Sequence, residues 1–215
     1  IRKHTRFVKF PEHKHNFIEF NYVYQGELKQ KIAQKSLTLV CDENKKLPFD
    51  RKKIKKAAIV CFSMQEAFYR ELCHMKKALE SYGTEVHIQH NFPIGGLKNF
   101  GVPIGEEKND EYGAYSCKEL NEKFDLIIYA LFSDGGRPSF YGGEERGFFD
   151  VMTYGREKSV VVSFGTPQVY FDWFSDSDIF LNAYDYLPEM QENFVKALFG
   201  DEKVSEESVF RLVPA

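Results

Sequence analysis

Short apolar runs without alternation recur along this chain, and between them the apolar residues are spaced as on one face of a helix. Ala57–Phe62 reads AAIVCF, Asp125–Phe132 reads DLIIYALF, and Val160–Phe164 reads VVVSF. A strand with one wet face alternates apolar and polar residues, so runs without alternation have to be covered on both faces. The intervening segments supply the covers. Phe68, Leu72, Met75 and Leu79 recur at helical spacing up to Gly83, a residue suited to the left-handed position after a helix. Ser116 and Glu119 have capping-box spacing ahead of a helix that ends near Phe124, and Glu145–Tyr154 predicts another. Pro188 fits the first turn of the last helix, whose Met190, Phe194, Ala197 and Leu198 face the core before Gly200 ends it.

With Val86–Gln89 and Ile179–Ala183 as further strands, the order from residue 57 onward is β-α-β-α-β-α-β-β-α. Right-handed crossovers make this an α/β fold: an open, mostly parallel, doubly wound sheet of flavodoxin-like type with helices on both faces. Two long irregular segments, Asn91–Tyr112 and Ser133–Glu145, follow predicted strands. They are expected at the carboxyl edge of the sheet, where open α/β folds bind ligands. Arg137 in the second segment, Thr166 in the Gly165-Thr166-Pro167 turn, and Tyr170 and Trp173 after it are the candidate ligand-edge residues. The aromatic pair offers stacking faces for a sugar, or packing between domains or subunits.

Composition narrows the partners. A chain of 215 residues with 43% hydrophobic residues, among them 21 Phe and 12 Tyr, can bury a sizeable core. Its net charge of −3 gives no global attraction to nucleic acid or an anionic membrane, and neither is expected as a partner. Arg51, Lys52, Lys53, Lys55 and Lys56 form a basic run just ahead of a strand, which reads as a solvated linker. Cys41, Cys61, Cys73 and Cys117 have no C-x-x-C spacing, and Cys61 sits in an apolar strand, so a reduced, cytoplasmic protein is favoured. No run of about eighteen apolar residues and no apolar leader segment is present.

Lys158–Gly200 carries a buried strand ending in S-x-G-x-P (Ser163, Gly165, Pro167), then Leu181–Tyr184, then E-x-Q-x-x-x-V-x-A-L-F-G from Glu189 to Gly200. Upstream, Lys35–Asp50 reads KSLTLVCDENKKLPFD. Together these resemble the C-terminal α/β domain of glycoside hydrolase family 3, in particular its β-N-acetylhexosaminidase branch, over residues 33–214. The resemblance implies that the carboxyl edge of the sheet faces a catalytic barrel. It also implies that the nucleophilic Asp, and in this branch a His-Asp acid/base pair, belong to that barrel. No position here matches those motifs, so no catalytic residue is carried over. The β-glucosidase branch instead places an acid/base Glu in this domain, and Glu144 and Glu145 lie at a comparable place, which makes Glu144 the one candidate. The surrounding pattern of that branch is missing, and adjacent acids at a helix start are ordinary favourable charges. A retaining glycosidase needs two carboxyl groups about 5 Å apart, so Glu144 without a nucleophile hydrolyses nothing.

Residues 7–32 read differently. His13, His15, Glu19 and Gly26 form H-x-H-x3-E-x6-G, which resembles the first motif of the cupin sensor domain in AraC-type regulators. On a strand, His13 and His15 share a face and can converge on one ion with Glu19. The second histidine motif of a cupin site is missing, so no metal is predicted, and no cofactor is expected. The organisation expected is therefore a truncated cupin-like β-hairpin arm over 1–34, then the hydrolase-type α/β domain over 35–215. Its apolar side chains exceed what a solvated tail carries, and a lone hairpin is marginal in water, so the arm is expected to form a homodimer or dock on its own domain. The reading that follows is a non-catalytic accessory or structural domain, with a carbohydrate or a barrel domain as further partner. The alternatives are a β-N-acetylhexosaminidase acting with a barrel supplied elsewhere, or the remnant of a sugar-sensing regulator.

Overall fold

The computed structural model describes residues 36–62, 72–90, 115, 117–134, 137–138, 156–165, 169–170 and 174–204. The arm (1–34), with His13, His15 and Glu19, lies outside the described residues, as do Phe68, Ser116 and the segment 145–154.

The described strands are β1 (Thr38–Asp42), β2 (Lys56–Phe62), β3 (Glu85–His90), β4 (Leu126–Leu131), β5 (Ser133–Asp134), β6 (Arg137–Pro138), β7 (Ser159–Ser163) and β8 (Ile179–Asn182). The helices are α1 (Cys73–Ser81), α2 (Cys117–Lys123) and α3 (Pro188–Leu198). A six-stranded sheet has the order β1-β8-β7-β4-β2-β3, and β5 pairs with β6 in a separate antiparallel ribbon. Within the large sheet β2, β3, β4, β7 and β8 are mutually parallel. Numbered among themselves they lie in the order 2-1-3-4-5, that of the flavodoxin-like doubly wound fold. The addition is β1, which pairs antiparallel with β8 at one edge.

The apolar runs behave as unalternating runs should. Ala57–Phe62, Leu126–Phe132 and Val160–Val162 are buried on both faces. Ile59, Ile128, Val162 and Leu181 point to one core with Met75, Leu79, Phe194 and Leu198 of α1 and α3. Ala58, Val60, Tyr129 and Phe180 point to the other, with Leu120 of α2 and with Val169 and Phe174. Each large apolar side chain buried in this way contributes about 1.5–3 kcal/mol.

Helix ends follow the sequence signals. Pro188 opens α3, where its missing N–H costs nothing. Gly200 has φ +78, and the N–H groups of Gly200 and Asp201 bond the carbonyls of Ala197 and Lys196. Gly83 (φ +81) ends α1 in the same manner.

Polar clusters fix the amino edge of the sheet. The nearly buried Asp178 takes Lys46 Nζ at 2.8 Å and Arg156 Nε at 2.9 Å, which joins the connection after β1 to the starts of β7 and β8. The carboxylate of Asp125 accepts the N–H groups of Lys55 and Lys56, both at 2.9 Å. In the basic run, Arg51 pairs with Asp201 and lies 4.8 Å over the Tyr82 ring, while Lys52, Lys53, Lys55 and Lys56 are exposed.

Candidate functional site

Parallel strands deliver their carboxyl ends to one edge, and hydrogen-bonded register makes that edge a row. Phe62 of β2 stands beside Leu131 of β4, Leu131 beside Ser163 of β7, and Ser163 beside Asn182 of β8. The ladder continues one step further: Phe132 N–H bonds the Phe62 carbonyl at 3.0 Å, Phe164 N–H that of Leu131 at 2.8 Å, and Ala183 N–H that of Ser163 at 2.8 Å. Alternation then divides the edge by face. Phe132 and Phe164 point toward α1 and α3 and stack with centroids 5.3 Å apart. Tyr186, after β8, meets Phe132 edge-on at 5.9 Å and is 38% exposed.

On the other face the row ends in two buried polar groups, Ser163 and Asn182. Asn182 Oδ1 accepts the N–H of Tyr184 at 3.4 Å, while its Nδ2 has no hydrogen-bond partner. Tyr184 takes a left-handed backbone conformation (φ 62), uncommon for a tyrosine, and its hydroxyl lies 3.3 Å from Thr38 Oγ1. This edge is therefore aromatic on one face and amide- and hydroxyl-bearing on the other, with Tyr186 its exposed side chain.

Of the residues singled out from sequence, Tyr170 is the one whose side chain is described. It packs edge-on against Phe180 at 5.1 Å, over the α2-facing side of the sheet and beside Cys41. Its hydroxyl donates to the Ser175 carbonyl at 3.4 Å. Burial first, then the neighbouring Cys41, pushes the phenol up to about 12. Arg137 belongs to β6, paired with Asp134 of β5 just beyond the carboxyl end of β4, where the irregular segment was expected. Thr166, Trp173 and Glu144 lie outside the described residues. Among the described residues no group of three or more His, Cys, Asp or Glu is placed to hold a metal ion. Nor is any described helix long and apolar enough to cross a membrane.

Sequence reasoning missed the Ser163–Asn182 row end and Tyr186. The first was readable in part, since Ser163 opens the S-x-G-x-P pattern and Asn182 lies in Leu181–Tyr184.

No family model matches the chain, and no curated protein sequence does. Solved structures do match. A GH3 β-N-acetylglucosaminidase from Paenibacillus sp. str. FPU-7 superposes with a TM-score of 0.57 at 15% identity, over 90% of this chain and 34% of that one. The fold is one found within glycoside hydrolase family 3 β-N-acetylglucosaminidases. A fungal multi-domain GH3 β-N-acetylglucosaminidase gives 0.57 at 14% identity, over 82% of this chain and 18% of that one. A β-glucoside phosphorylase, BglX, bound to 2FGlc gives 0.57 at 23% identity, over 83% and 30%. The chain thus spans about a third or less of the length of these glycosidase-fold relatives, and at such identities the likeness is one of fold.

Proposed function

We propose that this chain is an accessory α/β domain related to the C-terminal domain of family 3 β-N-acetylhexosaminidases and is not catalytic by itself. The observation that carries the reading is the fold match, which takes in most of this chain and a minor part of each relative. The ordered motifs from Ser163 to Gly200 support it independently. At the carboxyl edge the exposed Tyr186, backed by the buried Phe132 and Phe164, supplies an aromatic border to a sugar site. The nucleophile and acid/base group of that site come from a barrel.

Removing both covalent and acid/base catalysis takes away several orders of magnitude in rate, so these 215 residues alone hydrolyse no glycoside above background. Release of nitrophenol from an aryl N-acetylglucosaminide is the test. Turnover by the purified chain that disappears on Glu144→Gln overturns the reading and favours a hydrolase with its acid/base on this domain.

Two further parts of the proposal concern context. The protein works in the reduced cytoplasm, in keeping with free Cys41, Cys61 and Cys73. Residues 7–32 mediate a homodimer or dock on the α/β domain, motivated by their many apolar side chains, from Phe7 through Phe17, Ile18, Phe20, Tyr22, Val23 and Tyr24 to Ile32. Sedimentation of the whole chain beside one starting at Lys35 decides the second point: if both are monomeric, arm-mediated dimerisation is wrong.

A further inference from the structure

Among the described residues, β1 pairs on one side only, with β8, so its outer edge carries backbone groups that no described strand meets. Beside that edge runs an open groove of 830 Å³, apolar at Leu39 and Val40 of β1, Leu47 and Pro48 of the following turn, Ala197 of α3 and Val204 six residues beyond that helix, and charged at Asp42, Lys45, Glu202 and Lys203. Val204 is half-buried and packs on the core formed with α1 and α3. The last described residue therefore stands in the wall of this groove.

We propose that residues 205–215 lie along β1 as an added strand, antiparallel to it. Direction is the first argument. β1 runs from the carboxyl edge of the sheet, where Thr38 stands beside Asn182, toward the amino edge, where Asp42 stands beside Ile179. Val204 follows the carboxyl end of α3, which lies at the amino edge, so a segment continuing along β1 travels opposite to it.

Sequence is the second argument. After the polar stretch Ser205–Ser208 comes Val209-Phe210-Arg211-Leu212-Val213, rich in strand-forming apolar residues and as long as β1. Alternation sends Phe210 and Leu212 to one face and Val209 and Val213 to the other. Both faces at this edge are apolar: Leu39 packs on one core, and Val40 and Cys41 on the other. Reach is sufficient, since eleven extended residues span about 36 Å, whereas a five-residue strand is about 17 Å long. Pairing would also cover an edge that no described strand meets and that, left bare, invites association with other chains. This inference does not rest on the glycosidase reading.

The test is hydrogen exchange on the full chain, wild type beside Phe210→Asp/Leu212→Asp. In the variant, the β1 amides not bonded to β8 exchange at least about tenfold faster while β2 and β4 are unchanged, and added peptide 205–215 restores the protection. If the double variant also loosens β2 and β4, Val209→Pro replaces it, since proline cannot continue a ladder. Unchanged β1 protection overturns the proposal. So does β1 protection that follows protein concentration, the mark of a second copy, or that is lost with Phe17→Asp/Phe20→Asp in the arm instead.

Discussion

The side-chain carbonyl of Gln191, fully buried on α3, accepts the backbone N–H of Met75 in the first turn of α1 at 3.1 Å. Its amide nitrogen donates to the Tyr186 carbonyl at 2.8 Å. One side chain thus satisfies a donor that a helix start leaves open and holds the turn carrying Tyr186 at the carboxyl edge. Gln191→Leu keeps the volume and loses both bonds, leaving a buried N–H and a carbonyl unmet. It is expected to cost about 2–3 kcal/mol in urea unfolding. A loss under half of that, with the Tyr186 turn unchanged, would show that water replaces the amide.

Gly200 and Gly83 share a left-handed backbone but not their surroundings. A Cβ on Gly83 meets nothing within 4 Å, whereas one on Gly200 comes to 3.0 Å from Pro48 Cβ. Gly83→Ala therefore carries only the conformational penalty, about 1–2 kcal/mol. Gly200→Ala adds a clash with a ring that cannot swing away, and its cost should exceed that of Gly83→Ala by about 1 kcal/mol or more. Equal melting temperatures for the two variants would refute this.

The Tyr82 hydroxyl donates to Asp201 Oδ2 at 2.6 Å, and this bond, followed by the Arg51 guanidinium, holds the Asp201 carboxyl below its usual range. Burial, then the same bond, pushes Tyr82 up to about 12. A lowered carboxyl stabilises the fold above its ordinary titration range and ceases to do so as pH falls through its lowered value. A raised phenol stabilises below its ordinary value of 10.0 and ceases to do so as pH climbs toward 12. Tyr82→Phe is expected to flatten the fall in urea midpoint over the alkaline window and shallow the acid limb. Unaltered slopes on both sides would mean that the cluster does not couple to folding.

Thiol reactivity should follow burial. Cys61 is fully buried in β2, which pushes its thiol far up, and Cys73 is exposed at the start of α1. In a Cys117→Ser chain, Ellman's reagent should modify Cys73 promptly, Cys41 slowly, and Cys61 only on unfolding. Prompt modification of Cys61 in the native protein would mean that β2 opens to solvent.

What was legible in the sequence was what depends on neighbours in the chain. The runs at Ala57, Asp125 and Val160 announce doubly covered strands, and Pro188, Gly83 and Gly200 announce helix ends, because burial on both faces and helix punctuation are local matters. β1 escaped. A bulge at Val40 breaks the alternation that a half-buried strand would otherwise display. Gln191 is visible as a fixed letter of the last-helix pattern, yet its partner lies 116 residues away, and spacing says nothing of that. The ion cluster at Asp178 is hidden for the same reason. At the candidate site, Tyr170 reads from sequence as a neighbour of Trp173, but which face of the sheet it covers depends on Phe180 across the fold.

The placing of β1 has a consequence in time. Thr38 and Tyr184, whose hydroxyls meet, are 146 residues apart in the chain. At about 5–20 residues per second, a ribosome takes on the order of ten seconds to make that interval. Through it, β1 exists without its partner strand, and Leu37 and Leu39 have no β8 to lie against. Of the described strands it is the last, β8, that meets the first, β1, so half-made chains carry an adhesive segment whose inner side is covered only when synthesis reaches β8.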